Sequence, residues 1–132
     1  MIKIDQIKIK WIPDEAGDVS YLEEFKDDPE HQEFWEIDRK RLEDYENGFW
    51  CMLGCVAEAV VSYPIAGDEQ NRRLETFSSR GIWGIESDCD ELTRQDFGRE
   101  EIDDLKQHLQ VFSVNLDNFN QLADKALAEA RL

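Results

Sequence analysis

The chain has 132 residues, with 31 Asp and Glu against 15 Lys and Arg, and a formal net charge of −16. A charge of that sign argues against direct DNA or RNA binding, which needs a cationic surface to displace counterions, and against docking on anionic lipid. At 41% hydrophobic, with four Trp, seven Phe and three Tyr, the chain can still fill one core and offset its ordering entropy, so a single folded domain over 1–132 is expected.

In residues 1–12 the apolar positions are Ile2 and Ile4, then Ile7, Ile9 and Trp11. The period of two holds but its parity switches near Asp5 and Gln6, which predicts a first strand with a bulge there. Pro13 ends it, and DEAGD reads as a turn-like linker. Residues 28–48 carry the best local helix signals: Asp28 as N-cap, Pro29 at the first helical position, and Asn47-Gly48 as the stop. Phe34, Ile37, Leu42 and Tyr45 are expected to share one face. Arg39, Lys40 and Arg41 are expected on the solvated side, balancing Glu36, Asp38, Glu43 and Asp44 at helix-neighbour spacing.

From Phe49 to Tyr63 both parities are mostly apolar, the pattern of a central strand covered on both faces, and Gly54, Ala57 and Ala59 predict close approach of another element. PIAGDEQN reads as a hairpin turn, RRLETFSS as the returning strand and GIWGI as a third short strand, which together make a meander. From Ser87 the period becomes helical, with Ile102, Leu105, Leu109 and Phe112 on one face; Gly98 is expected to break or begin this helix, leaving Leu92–Phe97 as a separate turn. Leu116, Phe119, Leu122, Ala123, Ala126, Leu127 and Ala130 form an amphipathic stripe, predicting a C-terminal helix over 116–131. The expected class is α+β, an antiparallel sheet of three to four strands with helices packed on it.

Cys51, Cys55 and Cys89 make no CxxC pair, and an odd count is a poor disulfide framework, so a reducing interior is expected. The N-terminus has no continuous apolar run of the leader type, and no stretch approaches the roughly 18 apolar residues of a membrane span. A cytoplasmic protein without membrane association follows as the expectation.

The stretch GIWGIESDCDE, residues 81–91, concentrates a glycine-flanked tryptophan and a run of acids. As a calcium loop starting at Asp88 it fails, because Leu92, Thr93 and Arg99 fall where a ligand, a glycine and the bidentate Glu are needed. For zinc, Cys51, Cys55, Cys89, His31 and His108 are scattered, so no metal ligands are assigned. Cys89 at a helix start is surrounded by acids that oppose a thiolate, which favours an inert thiol. His31 and His108 lack a neighbouring nucleophile motif, and no glycine pattern of a phosphate loop is present, so no catalytic residue and no cofactor are assigned. The plainest account of 81–91 is a strand running into a helix, with Ser87 or Asp88 as the cap; the other is that Trp83 is an exposed binding anchor.

Charge is distributed unevenly. Residues 14–38 carry eleven acids and one base, net −10, and residues 86–104 carry nine acids and two bases, net −7. The rest of the chain is nearly neutral. Charge gathered in this way can present a partner with a row of carboxylates spaced somewhat like phosphates, or serve solubility alone.

ENGFWCMLGCVAEAVV and especially SSRGIWGIESD, with WIPDEAGDVSYLEEF, resemble segments of a group of small hypothetical proteins of phages, prophages and plasmids that carry a G-[IL]-W-G-[IV]-E-S-D motif. Arg80 stands where glycine is usual in that group, and Cys89 where serine is usual. The resemblance implies a mobile-element setting and a shared fold, without a mechanism.

Together these features lead to the expectation of a non-enzymatic protein that binds a host protein with a basic surface, by nucleic-acid-like negative charge. The expected contacts are Asp27, Asp28, Glu30 and Glu33 in the first acidic segment, and Trp83, Glu86, Asp88, Asp90 and Glu91 in the second. Two other readings stay open: a small enzyme or ligand-binding protein with a site around Trp83, Glu86 and Asp88, and a homo-oligomer paired through the C-terminal Ala/Leu stripe.

Overall fold

A computed structural model describes residues 1–130. Strand β1 (Lys3–Pro13) pairs antiparallel with β2 (Met52–Ile65), and its register shifts between Ile4 and Gln6. That shift is the bulge the sequence predicts. It brings Ile4 and Ile7 to the same face, where both are buried with Ala57, Ala59 and Val61. Without the extra residue, every apolar position of one half of β1 would point away from the core.

Strand β2 is central, with partners on both edges. Its hairpin to β3 (Asp68–Ser78) turns at Ala66-Gly67, both at positive φ, as a two-residue turn matched to strand twist requires. Strand β4 (Ile82–Glu86) does not extend a meander. It pairs with β2 along Met52–Cys55, on the edge that β3 occupies along Glu58–Ile65. β3 and β4 are thus two parts of one interrupted return strand.

Ser79 bridges the interruption. Its N–H donates to the carbonyl of Ala57 (2.8 Å), and its Oγ accepts the Ala57 N–H (2.9 Å), so the ladder continues through a side chain. A reversal here would have to surrender those bonds. Helix α2 (Glu91–Val111) also holds this backbone: Ser79 Oγ donates to buried Glu101 (3.0 Å), and the Arg80 N–H to Asp104 (2.8 Å).

Helix α2 and helix α3 (Phe119–Glu129) cover one face of the sheet. Gly98 lies inside an unbroken α2 and does not end it. A Cβ at Gly98 would sit 2.9 Å from Leu127 and 3.2 Å from Ile9, so the glycine lets α3 and β1 close on the helix. Phe119, Ala123 and Ala126 are buried in that contact, so the stripe expected to pair two copies is consumed within one. The expected helix end at residue 131 lies outside the described residues. Phe112, expected on the core face of α2, is half-exposed against Phe77.

On the other face, a 3₁₀ turn (Ser20–Glu23) and α1 (Gln32–Glu46) close over the Met52 end through Leu22, Leu42, Tyr45 and Trp50. The architecture is α+β, a four-stranded antiparallel sheet with three helices packed on it and a C-terminal helix among them. Among the described residues no helix is long and apolar enough to cross a membrane.

Candidate interaction surface

Helix α1 begins later than the sequence predicts. Asp28 does not cap it: its carboxylate accepts the Glu30 N–H (3.0 Å) and meets His31 Nδ1 (2.7 Å), folding 28–31 into a turn, and the helix starts at Gln32. The His31 contact, with the Glu30 N–H, holds the Asp28 carboxyl below its ordinary range. Asn47-Gly48 does end the helix, with Gly48 at φ 78°.

No residue of α1 is fully buried. Leu42 and Tyr45 pack on Trp50, but Phe34 and Ile37 are 45% and 68% exposed. The expected shared face is covered only at its Tyr45 end. Ile37 and Leu42 are five residues apart, about 140° around a helix of 3.6 residues per turn, so they cannot enter one narrow contact.

The basic run also divides. Arg39 pairs with Glu36 and Glu43, and Lys40 with Asp44, as helix-neighbour spacing predicts. Arg41 does not stay on the solvated side. Its guanidinium lies 3.9 Å from the centroid of the buried Trp50 ring, bonds Asp88 through both Nη atoms, and donates to Glu86 (2.9 Å). The Trp50 indole N–H donates back to the Arg41 carbonyl (2.9 Å), and the Tyr21 hydroxyl donates to Glu86 (2.6 Å). A planar cation between an aromatic face and two carboxylates is the geometry in which Arg differs most from Lys. Hydrogen bonding to Arg41 holds Asp88 below its ordinary range, while burial and the Glu86 bond push the Tyr21 hydroxyl up.

This cluster joins the two acidic segments in space, since Tyr21 belongs to the first and Glu86 to the second. It also offsets part of the charge of Glu86 and Asp88 internally.

The helix after β4 is capped by Asp90, two residues beyond the expected Asp88, its side chain accepting the Thr93 N–H (2.7 Å). Thr93 holds the Asp90 carboxyl below its ordinary range. Ser87 has a different task, its Oγ accepting the Cys51 N–H (2.9 Å) at the end of the β2–β4 ladder. Glu91 opens α2 beside Arg94 (3.7 Å). Asp27, Glu30 and Glu33 are exposed and make no ion pair among the described residues.

Trp83 is 49% exposed and lies over Gly54: an added Cβ there would fall 2.2 to 2.8 Å from the Trp83 ring atoms. Only a residue without a side chain admits the ring at that depth. Its inner face is sealed on the backbone, on the side of the sheet away from α2 and α3. Depressions in the surface lie beside Met1, Ile4 and Asn118, between α2 and α3, and along β1; Trp83, Glu86 and Asp88 line none of these.

Cys55 is buried, and burial pushes its thiol up to about 12; Cys51 is exposed, and Cys89 is intermediate in the turn before α2. Among the described residues no three His, Cys, Asp or Glu side chains are grouped to hold a metal ion. No family model, curated protein or solved structure matches this chain.

Arg41 is the residue that composition and spacing miss. Asp38 and Asp44 stand three residues to either side of it, so helix-neighbour spacing offers it the same surface pairing as Arg39 and Lys40, and its actual partners are distant in sequence.

Proposed function

We propose that this chain is a small acidic, non-enzymatic protein of a phage or other mobile element that acts in the host cytoplasm. It binds a host protein through a basic surface of that protein, presenting negative charge as a nucleic acid would. The observation that carries this reading is the set of exposed carboxylates at Asp27, Glu30 and Glu33, which make no ion pair among the described residues, with Asp90 and Glu91 also exposed in the second acidic segment. The nearby cations of α1 are turned onto the chain's own acids, so they do not offset that field. The likeness of SSRGIWGIESD to proteins of mobile elements supports the setting.

The contact set favoured by this geometry is narrower than the acidic sequence suggests. Asp27, Glu30 and Glu33 are available to a partner; Glu86, Asp88 and Asp90 serve the fold, Glu91 lies beside Arg94, and Asp28 is shared with His31. Affinity capture of the tagged protein from a bacterial lysate at low and high salt, with mass spectrometry of what is retained, tests the proposal. A nucleic-acid-binding host protein retained only at low salt, and lost with Asp27→Lys, Glu30→Lys and Glu33→Lys combined, is the expected result. Retention of the same partners by the charge-reversed protein would defeat it.

A further inference from the structure

Phe34, Ile37 and Arg41 recur at spacings of three and four and so share one stripe of α1. The stripe spans roughly 10 Å at 1.5 Å rise per residue. Its Arg41 end is held to Asp88, just before Asp90 and Glu91, and its Phe34 end adjoins Glu30, Glu33 and the turn that holds Asp27. At that end Phe34 stacks with His31 and Phe25, with ring centroids 5.7 and 5.4 Å away, while Ile37 stands 68% exposed in the middle. An exposed apolar stripe beside unpaired acids at its Phe34 end is an unusual use of a helix, whose apolar face ordinarily turns to the core.

We infer that this stripe is a docking site for a basic amphipathic helix, one that sets apolar side chains against Ile37 and Phe34 and places Lys or Arg against Glu30 and Glu33 at the Phe34 end. The inference rests on the acidic-surface reading above and names the partner's chemistry. Charge complementarity selects this occupant over a second copy of the chain. A second copy would bring a further net charge of −16 against the first, whereas a basic helix brings the opposite sign.

Two probes separate the apolar contribution from the electrostatic one: a synthetic amphipathic Lys/Leu helix peptide, and an oligolysine of the same charge, each titrated into the full chain by calorimetry at low salt. The Lys/Leu peptide is expected to bind at least tenfold more tightly than oligolysine. Ile37→Ser, at a position with open surroundings, and separately Phe34→Ser should bring the Lys/Leu peptide down to the oligolysine affinity while leaving oligolysine unchanged, with circular dichroism reporting the fold. Equal affinity for both peptides, or a preference that survives both substitutions, overturns the docking site and leaves the acidic-surface reading standing. Binding of neither peptide overturns both.

Discussion

The ring of Trp83 lies directly over Gly54, close enough that a methyl group on Gly54 would overlap its six-membered ring. Gly54→Ala therefore has to lift the ring off the sheet or displace β4 from β2. The expected cost is about 1–3 kcal/mol, the usual range for overpacking. The Trp83 indole N–H resonance, assigned by its loss in Trp83→Phe, should shift. An unchanged resonance with unchanged stability would show that the ring is not seated on this glycine.

Arg41 holds Trp50, Glu86 and Asp88 at once. Arg41→Ala should destabilise the fold by about 2 kcal/mol, the scale of hydrogen bonds to charged groups, and Arg41→Lys should recover only part of it, since an ammonium cannot make the paired contact with Asp88. Urea titration measures both. The Asp88 carboxyl is lowered by this pairing, so its stabilisation is present above about pH 4 and is lost as pH falls through the lowered value. In Arg41→Ala that acid-side loss should disappear.

Buried Glu101 behaves with the opposite sign. Burial raises its carboxyl despite bonds from Ser79 and the Gly81 N–H, so the folded state favours the protonated form and stability declines as pH rises from the ordinary Glu value through the raised one. Glu101→Gln keeps an acceptor without the charge and should flatten that decline. Ser79→Ala should cost about 1–3 kcal/mol, because it strands the Ala57 N–H and one oxygen of Glu101 together. Denaturation midpoints between pH 4 and 8 decide both.

Gly98 offers a graded test of helix packing. Gly98→Ala meets only the mobile ends of Leu127 and Ile9, and gains up to about 1 kcal/mol of helix propensity, so the net change should stay within about 1 kcal/mol. Gly98→Val has no such room and should push α3 away, with a loss of about 1–3 kcal/mol. Thermal unfolding of the pair distinguishes close approach from mere tolerance.

The three thiols should separate by exposure. Cys51 should react with a disulfide reagent in the native protein, whereas Cys55 should react only on unfolding, since it is buried and pushed up to about 12. Fast modification of two thiols with Cys51→Ser present would contradict the placement of Cys55.

The fold class, the bulge at Asp5, the central position of β2, the existence of the β2–β3 hairpin and the α3 stripe were legible in the sequence, because each is written in local periodicity or in turn-forming residues; that the turn is only Ala66-Gly67, with Asp68–Asn71 already in β3, was not. Gly54 announced a close approach for the same reason. The candidate surface was legible only as charge. Which acids stay free, that Arg41 leaves its helix neighbours for Glu86 and Asp88, that β4 resumes the edge of β3 instead of adding a new one, and that Phe34 and Ile37 stay in water were decided by tertiary structure. Each of these depends on a partner distant in sequence: Trp50 and Asp88 for Arg41, Ala57 and Glu101 for Ser79, and the limited width of the Leu22–Trp50 contact for α1. Periodicity specifies which side chains can share a face; only the assembled chain specifies how much of that face finds something to cover it.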